Sequence, residues 1–144
     1  MDTEYLILHE DEIDWKSLSN DKNRSFSLSE IRMFRKRIDW IDYLKTHNLS
    51  HDELEVASKH FTKSVYEFIA LNNLADQDFI VKHKTDFDWR ILLTSSYLTQ
   101  DTLMKCESSM GYVKELILEY LSKNSLIDLY DGSYDEFLVY MDLK

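Results

Sequence analysis

His47 and His51 stand four residues apart, the spacing at which two imidazoles on one helical face can share a metal ion. Asn48-Leu49-Ser50 between them reads as a turn, and a turn destroys the helical register that such a site needs. His9, His47, His51, His60 and His83 are therefore expected to be surface or capping histidines, with no metal bound. Cys106 is the single cysteine and is followed by Glu107. A thiol becomes a nucleophile or ligand as the thiolate, which cations favour and acids oppose, so a buried, idle thiol is expected. The chain has no Gly-rich phosphate loop, no paired cysteines and no His-Glu-x-x-His. No enzyme and no cofactor are expected. Acidic pairs such as Asp76 with Asp78, or Asp52 with Glu53, fit helix N-termini better than acid-base catalysis.

Charge is the remaining chemical resource. The formal net charge is -10, and it is unevenly spread. Asp2, Glu4, Glu10, Asp11, Glu12 and Asp14 open the chain, and Asp128, Asp131, Asp135, Glu136 and Asp142 close it. Lys22, Arg24, Arg32, Arg35, Lys36 and Arg37 form a basic block between them. The plainest expectation is that these blocks pair with one another and keep the chain in solution. A sharper one makes Glu10, Asp11, Glu12, Asp128, Asp131, Asp135 and Glu136 a partner-binding surface. Such a surface repels nucleic acid and can imitate it in the cationic groove of a nucleic-acid enzyme. The alternative surface is Arg32, Arg35, Lys36 and Arg37, touching phosphate or an acidic protein, although a few cations on so acidic a chain make a small footprint for nucleic acid.

These charges must be carried on a scaffold, and a repeated phrase describes it. Ile13-Asp14-Trp15, Ile38-Asp39-Trp40 and Phe87-Asp88-Trp89 contain all three tryptophans. In the second and third, an apolar residue follows the Trp by four (Leu44, Leu93), so one buried stripe is expected on one helical face. Each Asp precedes its Trp, where a carboxylate can accept the free N–H groups of the first turn. A second start signal follows: Ser27-Leu28-Ser29-Glu30 and Ser50-His51-Asp52-Glu53 fit the capping box, whereas Thr99 lacks a Glu three residues on and predicts a weaker cap. Degenerate copies run from Val65, in the Trp slot, through Leu74-Ala75-Asp76 to Phe79, and from Val113 to Leu126. The period of roughly 24 residues lies in the range of helical repeats.

The expected fold is all-α, a compact array of short helical hairpins in a single domain. Residues 13–127 carry about five repeats, with end segments 1–12 and 128–144 as caps. With no Pro and only Gly111 and Gly132, little interrupts a helix. The Trp residues, Phe34, Phe61, Phe68 and Phe79 are expected in the core, and Met33, Met104, Met110 and Met141 with them. Two apolar runs bracketed by acids, 4–10 and 136–142, are open between capping helices and a pair of terminal strands, with helix favoured for the second. The acidic N-terminus is unlike a secretory signal, no apolar run reaches the roughly 20 residues of a membrane span, and a lone cysteine suits a reducing cytoplasm.

The phrase Ile-Asp-Trp, with an apolar residue four after the Trp and then Leu-Ser-x-x-Glu-Leu, as in Ile38 to Leu54, resembles the short Trp-containing helical repeats of proteins from large DNA viruses and tailed bacteriophages. The resemblance covers roughly Asp14 to Leu126. It implies an intracellular viral or phage accessory protein that works by binding another protein. Together with the acidic charge, the expected role is a factor in the host cytoplasm that binds and inhibits a host protein such as a nucleic-acid-processing or defence enzyme. A nucleic-acid-associated factor using the basic segment 22–37, or a generic helical-repeat adaptor, is the alternative. The resemblance carries over no functional residues.

Overall fold

The computed structural model describes residues 2–95 and 98–110. Among them it contains α1 (Thr3–Leu8), α2 (Trp15–Ser19), α3 (Leu28–Phe34), α4 (Trp40–Thr46), α5 (His51–Ala57), a 3-10 turn (Ser58–His60), α6 (Lys63–Leu71), α7 (Gln77–Lys82), α8 (Trp89–Ser95) and α9 (Gln100–Met110). The protein is all-α, built of short helices. The N-terminal apolar run, left open between strand and helix, is α1, capped by Asp2, whose carboxylate accepts from Tyr5 N. The closing run and the copy from Val113 to Leu126 lie outside the described residues, as does the side chain of Leu93.

Helices this short are marginal alone, so their ends and packing decide whether they form. The ends follow the sequence signals closely. Asp14 and Asp39 accept from Ser17 N and Asp42 N at the heads of α2 and α4, and Asp88 accepts from Arg90 N at the head of α8. Both capping boxes are complete: Ser27 and Glu30 start α3, and Ser50 and Glu53 start α5. The turn at 48–50 does separate His47 from His51, since α4 ends at Thr46 and α5 begins at His51.

One expectation is met where the repeat is degenerate, and another needs correction. In the copy headed by Val65, α7 is capped by Asp76, as the acidic pair Asp76 with Asp78 predicts, with Asp76 Oδ1 accepting from Phe79 N at 2.8 Å. The frame slips by one residue there because Ala75 has no acceptor and Asp76 does. Thr99, expected to cap weakly, is better served than its sequence suggests. Its hydroxyl accepts from Thr102 N at 3.2 Å, and its own N–H, which Glu would take in a capping box, donates to Gln77 Oε1 at 3.1 Å. The missing Glu is replaced by a side chain from another helix.

Packing divides the chain into two units, Met1–Val65 and Tyr66–Lys144. In the first, α2 packs on α4 and α3 on α5, so Trp-headed helices stack on Trp-headed helices and Ser-capped on Ser-capped. Ser19 ties the first pair: its buried hydroxyl donates to Trp15 O and accepts from Asp39 N at 2.9 Å. Lys16 reaches Asp42 at 2.6 Å, which holds the Asp42 carboxyl below its usual range and the Lys16 ammonium above its own. Aromatic contacts fill the interior, with ring centres of Trp15 and Phe34, and of Phe26 and Tyr43, each 5.2 Å apart. In the second unit α7 packs on α9, Tyr66, Phe79 and Phe87 meet edge to face or stacked, and Ile80 and Leu103 are buried. Asn73, at φ 52°, adopts the left-handed conformation that ends α6, which Asn tolerates better than most residues.

The core contains Trp15, Trp40 and Trp89, as their spacing predicts, along with Phe34 and Phe79. Phe61 and Phe68 are only half-buried. Met33 and Met104, expected inside, are 47% and 42% exposed. The α3 register explains Met33: Ile31 and Phe34 are its buried pair, which turns position 33 to the opposite side. The side chains of Met110 and Met141 lie outside those described. No helix among the described residues is long and apolar enough to cross a membrane.

Candidate interaction site

The candidate surface is built on the corner that leads into each Trp-headed helix. Three such corners share one construction that the sequence does not display. The indole N–H donates to the carbonyl five residues earlier: Trp15 to Glu10 O at 2.9 Å, Trp40 to Arg35 O at 3.0 Å and Trp89 to Lys84 O at 2.9 Å. One turn closes beneath it each time, by Glu12 N to His9 O, Arg37 N to Phe34 O and Asp86 N to His83 O. In two corners the residue that supplies the carbonyl also reaches forward with its own cation. Arg35 Nη1 donates to Val56 O and Lys84 Nζ to Lys105 O, both at 3.3 Å and both 21 residues on.

This construction sorts the basic candidates. Arg35 is half-buried and held by Val56, so it is part of the scaffold. Arg37 is exposed and lies between Glu10, at 3.3 Å, and Asp11. Arg32 and Lys36 are exposed and make no ion pair with a described residue. Together with Met33 and Glu10 these side chains line a groove of about 540 Å³ beside the last turn of α3. The negative end of the helix dipole lies here and favours cations in place. Positive potential at this corner is felt by His60 nearby: its imidazole is held below its usual value by burial first, then by Arg35 and Lys36.

The acidic candidates are distributed differently. Glu10 and Asp11 are joined to Arg37, and Glu12 stands 3.2 Å from His9 Nδ1. Asp128, Asp131, Asp135 and Glu136 lie outside the described residues. A second hollow of about 460 Å³ includes Tyr5, Glu12, Asp14 and Asp21. Asp14 is committed there as a cap: hydrogen bonds from the Ser17 backbone and hydroxyl hold its carboxyl below the usual range.

Among the described residues no group of three or more His, Cys, Asp or Glu is placed to hold a metal ion. Cys106 is fully buried. Its surroundings are more electropositive than Glu107 suggests, since Lys84 and Lys105 both act on it, but burial outweighs them and pushes the thiol up. Met33 is the groove residue that sequence reasoning missed; the signal was available in the α3 register. Comparison with protein-family models, curated proteins and solved structures finds no match.

Proposed function

We propose that this protein acts by contact, as a helical-repeat factor that docks another protein through the cationic groove at the end of α3. The observation that carries this reading is the distribution of ion pairs. The described acidic candidates are each beside a cation or an imidazole, whereas Arg32 and Lys36 are exposed and unmatched by any described acid. Beyond the helix end that favours them in place, cations unmatched by any described acid around an exposed Met offer charge and apolar area that a partner can complement. The resemblance of the Trp phrase to viral and phage repeats supports an accessory role against a host protein.

A second reading places the contact on the acidic surface, as an inhibitor that imitates a polyanion. The net charge of -10 and the 86% and 78% side-chain exposure of Asp11 and Glu12 favour it. Affinity capture from the source cell separates the two. A partner enriched by the wild-type chain should be lost with R32E/K36E and kept with D11N/E12Q. The opposite pattern would refute the groove and move the contact to the acids. Circular dichroism on each variant establishes that it is folded.

A further inference from the structure

We infer that the groove beside α3 takes an acidic segment of a protein that carries a large apolar side chain, with partner carboxylates on Arg32 and Lys36 and the apolar residue on Met33. This rests on the groove reading above and names the chemistry of its occupant. Two observations select a peptide. Met33 is 47% exposed in the midst of cations, and an unbranched thioether is the side chain that best adapts to an apolar group of unspecified shape. Glu10 also lines the groove, and Arg37 at its rim is already neutralised by Glu10 and Asp11.

The same observations count against nucleic acid as the occupant. A backbone of regularly spaced phosphates would have to pass Glu10, Asp11 and Glu12 on a chain of net charge -10. It would find three cations unmatched by any described acid, Arg32, Arg35 and Lys36, and neutralising three phosphates gives a salt slope of only about -3, too small to hold a strand at physiological salt. A peptide can place one or two carboxylates where the cations are and none where the acids are. Its backbone N–H groups can donate to Glu10.

The test uses the full-length protein and fluorescein-labelled probes, read by fluorescence anisotropy near 0.15 M salt. The probes are an acidic Glu/Ser peptide with one central Leu, the same peptide with Ser in place of Leu, and a single-stranded and a duplex oligonucleotide of equal net charge. The Leu peptide should bind about fivefold more tightly than the Ser peptide, the gain expected from partial burial of one apolar side chain. R32E/K36E should weaken the Leu peptide at least about tenfold, as loss and reversal of two complementary charges requires. M33S should abolish the difference between the two peptides while leaving the Ser peptide unchanged, since only the paired contact is removed. Equal binding of the Leu and Ser peptides to the wild-type chain would overturn the inference. So would no peptide binding at millimolar concentration, or tighter binding of either oligonucleotide that depends on Arg32 and Lys36. If capture of the cellular partner still depends on Arg32 and Lys36 in those cases, the groove stands and only the chemistry of its occupant is wrong.

Discussion

Replacing Glu30 should unseat the first unit more than any other single charge change. Its carboxylate is 6% exposed and accepts three hydrogen bonds: from Ser27 N at 3.0 Å, from Arg24 Nη2 at 2.7 Å and from the Thr3 hydroxyl at 3.1 Å. It therefore closes a capping box, neutralises Arg24 and ties α1 to α3. Burial alone would raise this carboxyl, yet the Ser27 N–H, Arg24 and Thr3 outweigh it and hold Glu30 below its usual value. Loss of half a capping box costs about 1 kcal/mol. Breaking a pair whose Arg side chain is 21% exposed falls between the surface and buried limits, at about 2 kcal/mol. E30A should thus cost about 3 kcal/mol, a fall in Tm on the order of 10 °C for a chain of this size. E30Q keeps an acceptor for Ser27 N and should lose about half as much. Because the folded-state value is depressed, the charge contribution is fully present above the usual Glu value of about 4.3 and is lost as pH falls through the lower folded value. Urea unfolding followed by circular dichroism at pH 7 and pH 3 reads both effects. The gap between wild type and E30Q should narrow at pH 3. A gap equal at both pH values, or an E30A cost below about 0.5 kcal/mol, would refute the reasoning.

Other outcomes follow from the corners and the helix ends. W40F removes the indole donor to Arg35 O and part of a buried ring; it should cost about 2–3 kcal/mol in urea unfolding, and W89F a similar amount through Lys84 O. Q77A takes the acceptor from Thr99 N and should cost about 1 kcal/mol, with faster amide exchange at the head of α9 as its signature. E10Q/D11N breaks exposed pairs with Arg37 and should change stability by less than about 1 kcal/mol; a larger loss would mean that these pairs hold the fold. Cys106, fully buried with its thiol pushed up by burial, should resist Ellman's reagent in the folded protein and react promptly in denaturant.

The helix ends were legible because both partners in each are marked by residue type at fixed spacing. Ser27 with Glu30 and Ser50 with Glu53 announce themselves, and so does Asp before Trp. The indole bond was not legible, because its acceptor is a carbonyl that every residue carries. Gln77 was equally hidden, since its partner Thr99 lies 22 residues away and nothing local connects them. The candidate site suffered from a related ambiguity. Arg35, Lys36 and Arg37 are three adjacent cations in sequence, yet one braces Val56, one is unmatched by any described acid and one sits between two acids. Charge type alone does not distinguish these roles; the turn that aims each side chain does.

The residue that receives the tryptophan N–H is Glu10 in one corner, Arg35 in the next and Lys84 in the third. Since the latch engages only the main chain, an acid and a base serve it equally well. A corner can therefore reverse the sign of its outward face while its architecture stays as it was. Duplicating such a unit provides a new site whose chemistry can diverge at once, without a search for a new way to fold.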